Sequence, residues 1–169
     1  AYYGSYSDKA VSSAAGGVLI GQTTGEYLSV SPSTQYSASF WVYTATGGRT
    51  ADVYLIEFTA AEAFIQENGG GFLTIPASTW TRVTRTFTTT ATTGKVSIRP
   101  RWDAGAVSQT VYFDGIQLEQ KAYATTYTDG SLGTGYTWTS TAHASTSTRE
   151  AGVVVADKAI MAAGINSRT

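Results

Sequence analysis

The segment 35–43 alternates between apolar and polar side chains with a period of two residues. Tyr36, Ala38, Phe40 and Val42 would all lie on one face of an extended strand, and the residues between them would lie on the other. A helix would distribute these four side chains around its axis. The pattern therefore predicts a β-strand with one face in a hydrophobic core.

Similar short runs recur over the first 119 residues, and clusters of Gly, Ser, Thr and Asn separate them. The strongest of these runs are 52–58, 80–89 and 110–119, which are rich in β-branched and aromatic residues. Strands of this length, repeated at this spacing, are typical of an all-β sandwich. We therefore predict the all-β class for this part of the chain.

Two of the runs carry a local irregularity. The Asp114-Gly115 pair interrupts the alternation of the last run, which predicts a β-bulge at that point. Pro100 lies within the run 96–102 and has no N–H group to donate to a neighbouring strand. We expect this run to lie at the edge of a sheet or to end near the proline.

Composition limits the class of partner. Charged residues make up only 14% of the chain, and the formal net charge is -1. A surface of hydroxyl and amide groups suits sugars or other protein surfaces, whereas nucleic-acid binding requires clustered basic residues. Cysteine is absent, which excludes disulfides and cysteine-ligated zinc. No apolar run approaches the length of a membrane span.

The residue composition and the apolar periodicity of the sequence change after Gln120. Residues 122–149 are rich in Thr, Ser, Gly and Tyr and show little apolar periodicity. In the final segment 151–165, residues 157–163 could form one or two helical turns. We predict a folded domain over 1–120 and an extended arm for docking or oligomerisation over 121–169. The chain does not begin with methionine, so we expect it to derive from a longer sequence.

Four pieces of the first domain, 4–7, 36–42, 80–83 and 111–119, resemble in their order the family 4/9-like carbohydrate-binding modules. The resemblance implies a jelly-roll β-sandwich, a glycan-binding role and a structural calcium ligand at Asp114. Members of that family begin with a strand that ends in an Asn-x-x-Phe-Glu type pattern, which has no counterpart here. We therefore expect the domain to lack its first strand, to have it replaced by another segment, or to receive it from a neighbour.

The strings 127–131, 135–139 and 142–149 are similar to a segment of minor tail and minor capsid proteins of phages of Actinobacteria, where it follows such a jelly roll. This resemblance implies a non-catalytic structural protein on the virion surface. Its partners would be other virion proteins, further copies of itself and a host glycan. The arm residues expected to dock are Tyr127, Tyr136, Trp138, His143 and Arg149.

A free-standing carbohydrate-binding module of a secreted polysaccharide-degrading enzyme is the alternative function. In either case a sugar site needs aromatic faces for the pyranose rings and planar polar side chains for the hydroxyls. Trp41 and Tyr43 point outward from one strand, Arg99 and Arg101 from another, and Tyr112 from the closing strand. These five would line one concave face if their strands are neighbours; packing against the arm or another virion subunit is the competing interpretation.

No cofactor is predicted, with a structural calcium ion at Asp114 as the one open alternative. Calcium takes six to eight oxygen ligands, so Asp114 would need further carboxylates, for which Asp8, Glu26 and Glu119 are the candidates. Their spacing does not match that of an EF-hand calcium loop. A turn-forming Asp-Gly pair is therefore the favoured interpretation.

The residue patterns that would indicate a catalytic site are weak throughout the sequence. His143 is the only histidine and lies in a Ser/Thr-rich stretch, and the chain has no Gly-x-Ser-x-Gly elbow for a nucleophile. Glycoside hydrolysis needs two carboxylates at a set separation, and Glu57 has no convincing second carboxylate. A hydrolase is therefore the weakest of the three hypotheses, and we predict that the protein is not an enzyme.

Overall fold

The computed structural model describes residues 1–3, 7–19, 27–142 and 147–150. The chain divides into two compact units, Ala1–Ala124 and Thr125–Thr169. The strands of the first unit are β1 (Asp8–Val11), β2 (Gly17–Leu19), β3 (Leu28–Ser29), β4 (Gln35–Thr44), β5 (Arg49–Phe58), β6 (Phe64–Asn68), β7 (Leu73–Ile75), β8 (Thr81–Thr88), β9 (Lys95–Asp103) and β10 (Thr110–Glu119).

These strands form two antiparallel sheets. The four-stranded sheet has the order β1-β10-β4-β8, and the six-stranded sheet has the order β2-β9-β5-β6, with β3 also paired to β9 and β7 to β5. The apolar faces of both sheets contribute to one hydrophobic core, as in a β-sandwich. The largest fully buried apolar side chains are Trp102, Phe40, Phe113, Leu55 and Ile75. The prediction of an all-β sandwich is confirmed.

The alternation predicted for 35–43 is confirmed in β4. Ala38, Phe40 and Val42 have no solvent exposure because they face the core. On the opposite face of the strand, Ser39 is also buried, and the Arg82 guanidinium of β8 donates to its Oγ at 2.8 Å. The outer face of the four-stranded sheet is thus partly covered by its own side chains.

The predicted bulge is confirmed, since the register between β10 and β4 shifts between Asp114 and Gln117. The expectation for Pro100 is wrong, because the proline lies in the middle of β9, opposite Val53 of β5. The other side of β9 pairs with β3 at Val96 and with β2 from 101 to 103. Pro100 therefore belongs to an inner strand of the six-stranded sheet.

The edge of the six-stranded sheet next to β5 is also divided. β7 pairs with residues 49–51 of β5, and β6 pairs with residues 55–58. Between them, residues 52–54 of β5 have no strand partner on that edge among the pairings of the described chain. The β6–β7 connection, which carries the Gly69-Gly70-Gly71 sequence, spans this interval. Its contacts with β5 shape the surface described below.

The predicted loop at 60–63 is confirmed as the turn between β5 and β6. Strand β6 itself was not predicted, because Phe64–Asn68 combines polar residues with weak alternation. The three short strands near the start of the chain were not predicted either. Whether a further strand belongs to the domain upstream stays a prediction.

The second unit contains two short strands, β11 (Tyr136–Trp138) and β12 (Ser147–Arg149), which pair antiparallel with Tyr136 opposite Arg149. The Trp138 indole donates to Ser131 Oγ at 3.2 Å and packs so closely on Gly130 that a Cβ there would lie 2.5 Å from the ring. None of the described side chains in this unit is buried. His143 and the predicted helical turns at 157–163 lie outside the described residues.

Within the part of the chain that the structure covers, no helix has the length and hydropathy needed to cross a membrane.

Candidate functional site

The five residues predicted to line one face do not come together. Trp41 and Tyr43 on β4 and Tyr112 on β10 belong to the four-stranded sheet, whereas Arg99 and Arg101 on β9 belong to the six-stranded sheet. The expectation of a single shared face is therefore wrong. Each group does point outward from its own strand, since all five side chains are partly exposed and alternate with core residues.

Aromatic rings form a continuous surface on the four-stranded sheet. Tyr112 lies opposite Tyr43 in register, with ring centroids 6.1 Å apart, and Tyr43 lies 5.5 Å from Trp80. The ring of Tyr2 stacks on Trp41 with a centroid distance of 3.7 Å. We call these five residues the tyrosine-tryptophan face. Within this face, the indole of Trp41 is already covered by the ring of Tyr2.

The carboxylate of Asp114 is engaged by backbone N–H groups. Tyr2 N and Tyr3 N donate to Oδ2 at 2.7 and 2.9 Å, and Gly115 N donates to Oδ1 at 2.7 Å. Both oxygens therefore act as acceptors for the chain itself. This arrangement agrees with the interpretation of the Asp-Gly pair as a turn-forming element.

The carboxylates considered as calcium ligands lie apart. Asp8 is on β1 opposite Phe113, whereas Glu119 is five residues beyond Asp114 on β10, a separation of about 16 Å in an extended strand. Glu26 lies outside the described residues. Across the described ranges, no group of three or more His, Cys, Asp or Glu side chains is placed to hold a metal ion.

The outer face of the six-stranded sheet brings aromatic rings and a guanidinium together. Arg101 lies over the ring of Tyr54 at 4.9 Å and over that of Phe72 at 5.2 Å, and it donates to Tyr54 Oη at 2.6 Å. Arg99, directly opposite Tyr54 in register, also points outward and is half-buried. The Phe72 ring is 41% exposed, so solvent can reach this group. We call Tyr54, Phe72, Arg99 and Arg101 the arginine-aromatic face.

A buried carboxylate positions Phe72. Asp52, which is 1% exposed, lies in the interval between β6 and β7, where its Oδ2 accepts from Gly70 N at 2.6 Å and from Gly71 N at 3.0 Å. Arg85 of β8 contacts both oxygens at 3.2 Å and also donates to the carbonyl of Gly69. These bonds fix the loop that ends at Phe72.

Close packing restrains the same loop from the other side. A Cβ at Gly69 would lie 2.5 Å from the Tyr54 ring, so only glycine allows the backbone to pass across that ring at this distance. The loop therefore rests directly on Tyr54. Tyr54 and Phe72 consequently hold their relative positions without a bound ligand.

Glu57, the candidate for hydrolysis, has no solvent exposure. Burial would raise its pKa, but donors from Thr93, Gln66, Thr90 and Asn68 outweigh that effect and hold the pKa of Glu57 below its ordinary value of 4.5. The distances to Gln66 Nε2 and Thr90 N are 2.7 and 2.9 Å. A carboxylate enclosed in this way cannot contact a substrate in solvent, and its role is to bond β6 and the β8–β9 loop to β5.

Sequence reasoning missed Tyr54 and Phe72. The run 52–58 is apolar at most positions, so the sequence did not distinguish the two faces of this strand or single out Tyr54 as outward-facing. The position of Asp52 two residues earlier was the available signal, because a carboxylate and a tyrosine at alternate positions indicate a polar face. No pattern in the sequence indicates that Phe72 crosses to β5.

No protein-family model and no curated protein matches the chain. Solved structures do. The C-terminal family 22 carbohydrate-binding module of Clostridium thermocellum Xyn10B is 13% identical with a TM-score of 0.52, over 74% of this chain and 79% of that one. A family 16 carbohydrate-binding module is 23% identical with a TM-score of 0.48, over 70% and 79% of the two chains.

The VP2 subviral particle of infectious bursal disease virus is 13% identical with a TM-score of 0.49, over 67% of this chain and 29% of that one. At these identities the likeness concerns the fold and not the function. The match to the family 22 module agrees with the two antiparallel sheets described above. The chain is thus an all-β sandwich similar in fold to the jelly-roll carbohydrate-binding modules.

Proposed function

We propose that the protein is a non-catalytic glycan-binding component and that its sugar site is the arginine-aromatic face. The observation that carries the proposal is the position of the Arg101 guanidinium over two rings, one of which is solvent-accessible. Planar aromatic faces accept the apolar C–H face of a pyranose, and guanidinium N–H groups donate to its hydroxyls. Arg99 supplies a second set of donors beside them.

Preorganisation supports this proposal. The bonds of Asp52 to the β6–β7 loop and the contact of Gly69 with Tyr54 hold the rings in place before any ligand arrives. A site held in this way loses little conformational entropy on binding. The enclosed position of Glu57 supports the non-catalytic part of the proposal, because it removes the best candidate for a catalytic carboxylate.

Replacing Phe72 with alanine is expected to weaken oligosaccharide binding about tenfold, which corresponds to about 1.4 kcal/mol. The substitution removes an exposed ring and leaves the strands intact, so the free energy of unfolding should change little. Isothermal titration calorimetry with soluble oligosaccharides, first selected on a glycan array, measures the effect. Val107→Ala, at a loop residue that is 55% exposed, is the matched control and should bind normally. Equal affinity for the Phe72→Ala and Val107→Ala chains would exclude Phe72 from the site.

We further propose that this module belongs to a phage virion, as a tail or capsid-surface component. The support comes from the similarity of 127–149 to phage tail and capsid segments and from the division of the chain after Ala124. In this proposal the second unit docks on other virion proteins or on further copies of the chain. A module attached to a secreted polysaccharide-degrading enzyme is the alternative, for which the fold is equally suitable.

Trp138→Ala combined with Tyr136→Ala is expected to remove most of the protein from purified particles, because both rings belong to the β11–β12 strand pair of the proposed docking unit. Quantitative mass spectrometry of gradient-purified virions measures the incorporated copies. The Phe72→Ala chain is the control and should incorporate normally. Normal incorporation of the Trp138→Ala, Tyr136→Ala chain would contradict docking through this strand pair, and absence of the native chain from all particles would favour the enzyme-linked alternative.

A further inference from the structure

The Trp41 indole has an aromatic occupant supplied by the chain itself. Tyr2 stacks on it with ring centroids 3.7 Å apart and an interplanar angle of 17°. Tyr2 is 42% exposed, so it forms the outer ring of this pair. The ring of Trp80 lies 6.0 Å from Tyr2 and continues the aromatic surface.

The backbone of the same segment satisfies a carboxylate next to the indole. Asp114 is the cross-strand neighbour of Trp41, and its Oδ2 accepts from Tyr2 N at 2.7 Å and from Tyr3 N at 2.9 Å. The ring of Tyr2 thus covers the indole of Trp41, and the N–H groups of residues 2 and 3 satisfy the carboxylate of Asp114. We call residues 2–3 the tyrosine strap.

The β-bulge accommodates this contact. Gly115 has φ of +56°, in the left-handed region that favours glycine, and a Cβ there would lie 3.0 Å from the Tyr3 ring and 3.2 Å from the Trp41 ring. Any larger residue would push the two rings away from the bulge. The backbone is therefore shaped for close approach at the position where the strap meets β10.

We infer that Trp41 and Asp114 form a second saccharide site, and that the tyrosine strap occupies it as an internal ligand. The strap presents the same groups as a pyranose: a flat apolar face for the indole and adjacent donors for the carboxylate. An oligosaccharide that replaces it stacks one sugar ring on Trp41 and donates two neighbouring hydroxyls to Asp114. Trp80, whose ring lies 6.0 Å from that of Tyr2, would contact the next sugar ring of the oligosaccharide.

The strap sets the affinity of this site, because a ligand must displace it before it binds. The apparent dissociation constant is raised in inverse proportion to the fraction of molecules in which the strap is open. The inference rests on the proposed function only in taking a saccharide as the ligand. The two sites lie on different sheets, so one proposal can fail while the other holds.

The test uses a chain in which Tyr54→Ala and Phe72→Ala have removed the arginine-aromatic face. Xylohexaose and β-1,4-galactotriose are titrated into it by calorimetry, with and without a change at Tyr2. Tyr2→Ala is expected to tighten binding of at least one probe about fivefold or more, whereas Tyr2→Phe, which keeps the stacking ring, should leave the affinity unchanged. Tyr123→Ala, at a tyrosine that is 66% exposed, controls for loss of any surface ring. Adding Trp41→Ala to Tyr2→Ala should abolish the gain.

Equal affinity for the Tyr2→Ala and Tyr2→Phe chains overturns the inference, and so does a gain that survives Trp41→Ala. A second measurement leaves Tyr2 in place. Nuclear Overhauser contacts between the Tyr2 and Trp41 rings should decline as xylohexaose or the galactotriose is added to the chain that lacks the arginine-aromatic face. Their persistence up to the solubility limit of both sugars overturns strap displacement. A separate result would show that the proposed function is wrong: normal oligosaccharide binding by the Phe72→Ala chain in which the tyrosine strap is intact.

Discussion

Replacing Asp52 with alanine is expected to lower the free energy of unfolding by about 3 kcal/mol. The change leaves the N–H groups of Gly70 and Gly71 without their acceptor and separates Arg85 from a carboxylate that is 1% exposed. The loss of one partner of a buried ion pair costs about 3–5 kcal/mol, and the lower end applies because the Arg85 side chain is 26% exposed and can be rehydrated. Urea denaturation monitored by circular dichroism measures the change.

The same substitution should release the β6–β7 loop, so limited proteolysis is expected to cleave near Gly70 in the Asp52→Ala chain before the native chain is cut. Oligosaccharide binding should fall with it, because Phe72 loses its anchor. Asp8→Ala changes an exposed aspartate of β1 and serves as the control, with an expected effect within about 0.5 kcal/mol. If Asp52→Ala proved no more destabilising than Asp8→Ala, the loop would have to be held by other contacts.

Replacing Glu57 with alanine is expected to lower the free energy of unfolding by about 3–4 kcal/mol. The fully buried carboxylate accepts from Thr93, Thr90, Gln66 and Asn68, so its removal takes away the acceptor that these donors share and leaves a cavity. Glu57→Gln keeps the volume and one acceptor and should cost less. Chemical denaturation at neutral pH gives both values.

Acid should destabilise the native chain more than the Glu57→Gln chain. The folded-state pKa of Glu57 lies below the ordinary value of 4.5 because hydrogen bonds favour the charged form despite burial. The part of the free energy of unfolding that Glu57 contributes is therefore fully present above about pH 4.5, and it is lost as the pH falls through the lower folded-state pKa. Denaturation midpoints measured from pH 6 down to the acid transition test this. Parallel curves for the two chains would show that Glu57 does not supply the acid dependence.

The features predicted correctly from sequence are local ones. The alternation of 36–42 specifies which side chains face the core, because a strand has a period of two residues regardless of its neighbours. The bulge at Asp114-Gly115 could be predicted for the same reason, since it breaks that period within one run. Both features are independent of how the strands are arranged in the sheets.

Sheet membership could not be predicted in this way. Trp41 and Arg99 both alternate outward from their strands, yet they lie on opposite faces of the molecule because β4 and β9 belong to different sheets. Pro100 was assigned to an edge because its own chemistry forbids one hydrogen bond. Its place inside the sheet follows from the pairing of β9 with β5 on one side and β2 on the other, a long-range arrangement that the run 96–102 does not encode.

The contacts that define both aromatic faces are also long-range. Tyr2 reaches Trp41 across 39 positions and Asp114 across 112, and neither pairing leaves a periodic signal in the sequence. Phe72 reaches Arg101 only because Asp52 holds the preceding glycines. Outward-facing aromatic and arginine side chains could thus be predicted from the sequence, but which of them lie together could not.

The divided edge of the six-stranded sheet next to β5 restricts how copies of the chain can associate. There, β6 and β7 each offer no more than five residues in a row to an incoming strand. Among the described residues, β8 is the longest strand at a sheet border, with eight residues at the border of the four-stranded sheet. Arg82 and Arg85 place positive charge on it, which opposes addition of an identical strand from a second copy.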